Sequence, residues 1–176
     1  GGTQANNSAA VIMADPTALE SVCIDAISAN TVNFVGGIYV PAGAEAQVYD
    51  VIVAAQGAGA NFAYGVQAAA GSTTLDLGLS WFDVEAATNR PAWGVRALSG
   101  ATTSVAMTEM IGSPALEFQG GAEQVAKDNL VRGGVTFGGS GVSLIDNLIT
   151  GNVPDGEPGV TNCRANYDED LLPVDC

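Results

Sequence analysis

Residues 74–81 read TLDLGLSW, setting Leu75, Leu77, Leu79 and Trp81 against Thr74, Asp76, Gly78 and Ser80. An extended chain sends successive side chains to opposite faces, so this pattern describes a strand with one dry face and one wet face. It predicts that all four apolar side chains enter a single core. Upstream, residues 61–69 set Phe62, Tyr64 and Val66 against small neighbours, and AQVYDVIVA at 46–54 is a long β-branched run. Residues 31–35 and 38–40 are short runs ended by Gly36-Gly37 and by Pro41-Ala42-Gly43, with a hairpin-like turn at Gly71-Ser72. Downstream, 93–98, 101–110, 115–118, 135–137 and 142–150 read as further strands, while AEQVAKDNLVR at 122–132 reads as one short helix. That helix carries Glu123/Lys127 and Asp128/Arg132 at i,i+4 and is stopped by Gly133-Gly134.

Eight to ten short strands between Gly/Pro turns predict an all-β chain folded as an antiparallel two-layer β-sandwich, with no clean tandem repeat visible. The sandwich is expected over 16–150, between an N-terminal extension at 1–15 and an acidic, Pro/Gly-punctuated tail at 151–176. Apolar residues are 47 % of the chain but aromatics only 6 %, so small and β-branched side chains must fill the core.

Histidine is absent, and five basic residues face nineteen carboxylates for a net charge of −14. Without histidine the usual general acid/base and a common zinc ligand are missing, so a catalytic triad and a zincin are excluded and no enzyme is expected. A single lysine and four arginines argue against nucleic acid and anionic membranes. No run of eighteen apolar residues exists to insert into a bilayer. The start Gly1-Gly2-Thr3 is read as a processed N-terminus. Of the three cysteines, Cys163 and Cys176 close a small loop if they pair, leaving Cys23 in its apolar run; the rival pairing joins Cys23 to a tail cysteine.

The oxygen-rich stretch Asn166-Tyr167-Asp168-Glu169-Asp170 spaces Asn166, Asp168 and Asp170 as a calcium loop begins. It departs from that pattern at Leu171, where an EF-hand loop needs glycine, so no cofactor is expected beyond a possible Ca²⁺. Asp83 and Glu85, beside Trp81 and followed by Asn89 and Arg90, form the acid pair where sugar chemistry would be sought, against the plainer reading of a polar loop. The glycine-rich stretches lack the order of a phosphate loop and read as turns or bulges.

Residues 36–77, GGIYVPAGAEAQVYDVIVAAQGAGANFAYGVQAAAGSTTLDL, resemble the opening of cohesin-like β-sandwich modules of bacterial secreted and surface proteins. The resemblance implies a cohesin-like or jelly-roll-like sandwich. The function expected is a secreted structural subunit of a fibre, pilus-like appendage or surface layer, extracellular or on the cell surface. It would be a homopolymer assembled by strand exchange, with Ala5, Ala9, Ala10 and Val11 lying in a neighbour's groove. The alternative is an extracellular module binding a protein or, through Trp81 or Trp93, a glycan.

Overall fold

The structure, a computed structural model, describes residues 7–28, 32–153 and 160–174. Among these it has nineteen strands and no helix, and every pairing between strands is parallel. The chain winds in coils of three strands. The first holds β1 (Asn7–Ile12), β2 (Thr17–Glu20) and β3 (Cys23–Ser28), and the second β4 (Val32–Val40), β5 (Glu45–Tyr49) and β6 (Ile52–Gly57). The third holds β7 (Ala60–Ala68), β8 (Thr74–Gly78) and β9 (Trp81–Glu85), and the fourth β10 (Ala92–Ala97), β11 (Thr102–Ala106) and β12 (Glu109–Ile111). The fifth and sixth are β13 (Leu116–Phe118), β14 (Gln124–Lys127), β15 (Leu130–Arg132) and β16 (Val135–Phe137), β17 (Val142–Ile145), β18 (Leu148–Thr150); β19 (Val160–Arg164) adds to the second face.

Each strand pairs with its counterpart three strands on, which produces three faces: β1-β4-β7-β10-β13-β16 (face A), β2-β5-β8-β11-β14-β17-β19 (face B) and β3-β6-β9-β12-β15-β18 (face C). This is a three-faced parallel β-helix. The antiparallel sandwich, and with it the cohesin-like or jelly-roll-like fold that the resemblance implied, is therefore overturned. The reason is physical: period-two alternation states that one face is dry but not which strand covers it or pairs beside it. Here the covering comes from within the coil. Ile24, Val53, Phe82, Met110, Val131 and Ile149 stack in register inside face C, all at most 6 % exposed.

Corners, not hairpins, decide this outcome. Between faces B and C every coil turns on one residue in the left-handed region, namely Ser21, Asp50, Leu79, Met107, Asp128, Asp146 and Ala165, with φ between 50° and 57°. Such a residue redirects the chain without reversing it and resets the alternation. So Leu75 and Leu77 are buried as expected, but Leu79 is the corner itself, 59 % exposed, and Trp81 stands on the outer side of face C. The Gly71 turn, at φ 98°, is likewise a corner and not a hairpin.

The helix expected at 122–132 is instead β14 and β15, broken at Asp128. Its supposed i,i+4 partners go elsewhere: Lys127 lies 3.6 Å from Asp128, and Arg132 pairs with Glu109 of the preceding coil at 2.8 Å. Gln124, Ala126 and Val131 point inward, so the segment has strand periods on both sides of a corner.

Repeats are present after all. In face C, Cys23, Ile52, Trp81 and Glu109 are stacked in register 29, 29 and 28 residues apart, after which Leu130 and Leu148 follow at 21 and 18. Residue spelling drifts from coil to coil, because each inward position asks only for an apolar side chain, from alanine to phenylalanine. The long coils carry a further irregularity in face A, where the inward residues are Val35, Ile38, Val40, then Ala63, Val66, Ala68, then Ala92, Val95, Ala97. A spacing of three breaks the period of two. At that break Gly37, Gly65 and Gly94 bring the backbone against face C; a Cβ on Gly65 would sit 2.5 Å from Phe82 Cδ1.

Candidate binding groove

The rigid frame leaves one loop standing out where face C passes to face A in the third coil. Residues 86–91, AATNRP, join β9 to β10. Arg90 N–H donates to Ala87 O at 2.9 Å, Asn89 takes a positive φ of 60°, and Ala92 and Ser113 exchange two backbone bonds with the next coil. The loop is thus tied at its own turn and at its exit. Pro91 has no N–H to give to a ladder and disfavours helical backbone at Arg90.

On one side of the loop lies a cavity of about 750 Å³, with Glu85, Thr88, Asn89, Arg90, Ile111 and Ser113 on its wall. On the other lies one of about 350 Å³ with Ile27, Ser28 and Gln56. Glu85, Ala86, Ala87 and Thr88 belong to both. Arg90 and Arg164 are exposed and make no ion pair among the described residues, whereas Arg96, Arg132 and Lys127 each take a carboxylate of the chain.

Of the acid pair, the structure places Asp83 half-buried on the outer side of β9 and Glu85 exposed two residues on, at the groove. They stand side by side on one strand, not across a cleft as two carboxylates flanking a glycosidic bond must. Trp81 shares their face. Trp93 is on face A, 7 % exposed, with the Arg96 guanidinium 3.9 Å above its ring and Phe62 edge-on at 5.6 Å. Arg96 is held there by Glu117 at 2.8 Å and Gln67 at 3.2 Å.

Of the calcium-loop candidates, Asn166 and Asp168 each have a side-chain oxygen already engaged, and Asp170 is exposed. Asn166 is 1 % exposed, and its Oδ1 accepts from Asn147 N and Nδ2 at 3.1 and 2.8 Å. Asp168 Oδ1 caps a turn by accepting from Asp170 N and Leu172 N. Among the described residues no cluster of three or more His, Cys, Asp or Glu side chains could hold a metal ion. Cys163 is in a disulfide and Cys23 is a free, exposed thiol, while Cys176 lies outside the described residues. Of the assembly segment, Ala5 also lies outside them. Ala9, Ala10 and Val11 are in β1, which pairs in parallel with β4 of its own chain.

Sequence reasoning missed the buried polar line at the corner between faces B and C. Asn129 N and Nδ2 donate to Asn147 Oδ1 at 3.1 and 2.9 Å, Asn147 does the same to Asn166, and Thr108 N donates to Asn129 Oδ1 at 3.0 Å. Each Asn Nδ2 also donates to a carbonyl of the preceding coil: Val105, Ala126 and Leu144. The signal was available as Asp128-Asn129-Leu130 and Asp146-Asn147-Leu148, eighteen residues apart. No family model, curated protein or solved structure matches this chain.

Proposed function

We propose that this chain is a structural β-helix, a stiff shaft segment of a secreted or surface-displayed fibre or surface layer, built to associate with its own kind. The observation that carries the reading is where the polar side chains spend their bonds. They bind the next coil: Asn129 to Asn147 to Asn166, Arg96 to Glu117 and Gln67, Arg132 to Glu109, Ser21 to Asp50 and Tyr49 to Asp76. Such ties stiffen a rod along its axis and leave few groups free to converge on a reacting molecule.

Two further features support it. Cys163 in a disulfide fits an oxidising compartment, and the net charge of −14 keeps an elongated surface soluble. Among the described residues β1, β2 and β3 each pair on one side only, so their outer edges can accept another coil. Because β1 is already committed to β4, contact would come by adding coil to coil at an edge rather than by giving up a strand.

Electron microscopy and size-exclusion chromatography of the native protein test this. Six coils at about 4.8 Å make a particle roughly 30 Å long, so rods several times longer are expected, and more of them at high salt where repulsion is screened. A protein that remains monomeric at high salt and high concentration would remove the shaft reading.

A further inference from the structure

We propose that the groove flanking loop 86–91 is a binding site for a hydroxyl-rich ligand bearing a single carboxylate, a sugar acid within an otherwise neutral saccharide. The shaft reading does not require it, and it stands on separate observations.

The first is shape. Two cavities, about 750 and 350 Å³, share Glu85 to Thr88 in their walls, and the lining residues run from Ser28 of the first coil to Ser113 beyond the fourth. At about 4.8 Å per coil the lining residues span roughly 14 Å along the axis, the scale of a short extended chain. The walls are strands and a loop closed by its own backbone bonds, so little ordering is needed on binding.

The second is charge. The chain holds nineteen carboxylates and five cations, and Arg96, Arg132 and Lys127 each take one of those carboxylates. Arg90 and Arg164 take none among the described residues, and of these two Arg90 lines the larger cavity. A guanidinium presents a rigid fork that matches a carboxylate through two parallel bonds. Glu85, at the saddle between the cavities, is acceptor-only when ionised. It suits hydroxyl donors and repels a second anion. Asn89, Thr88 and Ser113 supply the mixed donors and acceptors that sugar hydroxyls use, while Pro91, Ala86 and Ile111 supply apolar surface for a ring. The net charge of −14 turns away polyanions, leaving one acidic group among neutral sugars.

Amide NMR and calorimetry of the intact protein with cellobiouronic acid and with cellobiose, which differ by one carboxylate, test the proposal. The acidic disaccharide is expected to shift amides of residues 85–92 and 111–113 and to bind about tenfold or more tighter than cellobiose, the scale of one charge-assisted bond. Arg90→Ala should abolish that preference, Arg90→Lys should restore part of it, and added salt should shrink it. Because Arg90 is exposed, the variant's amide spectrum away from the loop should be unchanged. Equal binding of the two disaccharides, no shift at 85–92, or full binding of the acidic one by Arg90→Ala each overturns the site.

Discussion

The first four coils and the last two close the same three-sided cross-section with different means. In the long coils, 28 or 29 residues apart, face A strands reach nine residues and carry Phe34 stacked on Phe62 at 5.4 Å and Phe62 against Trp93 at 5.6 Å outside the barrel. In the short coils the same face has three-residue strands, β13 and β16, aligned only with the stretch after the glycine bend. There the corner line is asparagine, buried and bonded coil to coil; in the long coils the corresponding residues are Val22, Val51, Ser80 and Thr108. Ser80 and Thr108 hydroxyls donate to carbonyls two residues back, Gly78 and Ala106, and only Ser80 Oγ also reaches an adjacent coil, accepting from Val51 N at 3.3 Å. One half is held by ring packing and small side chains, the other by a directional ladder of buried asparagines.

The strongest way to break this contrast is Asn147→Ala. Asn147 sits mid-ladder at 1 % exposure, so its loss leaves Asn129 N–H and the Ala126 carbonyl without their partners. Roughly 3 kcal/mol of stability should go, measured by urea unfolding. The matching Thr108→Val in the long coils, which removes only a local bond to a carbonyl that keeps Leu79 N–H as a donor, should cost no more than about 1 kcal/mol; equal costs would show that the ladder is not special to the short coils. Next comes Gly65→Ala, whose Cβ meets Phe82 and the Gly94 carbonyl, 2.6 Å away. Overpacking of roughly 1–3 kcal/mol is expected, and an unchanged melting curve would remove the argument for a bend pinned by close approach.

A smaller and opposite effect should follow Leu79→Asn. Leu79 holds φ 52° while 59 % exposed, at a corner where Asp50, Asp128 and Asp146 stand in other coils. Asparagine tolerates that conformation better, so a gain of about 1 kcal/mol is expected at neutral pH; a loss would mean that Leu79 packs against something essential. The smallest effect is alkaline. A hydrogen bond to Asp76, then burial, raises the Tyr49 hydroxyl above its ordinary value, and burial raises Tyr64 further. Such groups stabilise the fold fully below the unfolded pKa, about 10, and that contribution is lost as pH rises through the folded values. Tyr49→Phe should therefore flatten the decline in stability above pH about 10. Tyr64→Phe should cost little at pH 7, since its buried hydroxyl has no hydrogen-bond partner. An alkaline stability curve identical to that of the unmodified protein would show that neither tyrosine is linked to folding.

Strand content and the inward sides of many strands were legible. Leu75 and Leu77 are buried where the alternation put them, whereas the run Phe62, Tyr64, Val66 changes phase at Gly65 and the run Trp93, Val95 at Gly94, so Val66 and Val95 turn inward while Phe62 and Trp93 stand outside. The groove was legible in part, since Glu85, Asn89 and Arg90 were singled out together and do line one cavity, although Asp83 and Trp81 do not. Legibility failed at corners. Nothing in Leu79, Met107 or Ala165 announces a left-handed residue, because these side chains take that conformation only when their neighbours in adjacent coils impose it. The supposed helix failed for the same reason: Glu123/Lys127 and Asp128/Arg132 fit helical spacing, but Asp128 is a corner and the apolar residues on either side follow strand phase.

By itself, the sequence determined that the chain is β-rich, strongly acidic, poor in catalytic side chains and filled by small apolar residues, since these are properties of composition and of period-two alternation. Only the tertiary structure decided that each strand lies parallel to one 18–29 residues away, that Asn129, Asn147 and Asn166 form one line, and that Arg90 and Glu85 share a groove. The physical reason is that a strand's spelling reports which side is dry, whereas its partner is chosen by corner geometry and by the coil stacked beside it.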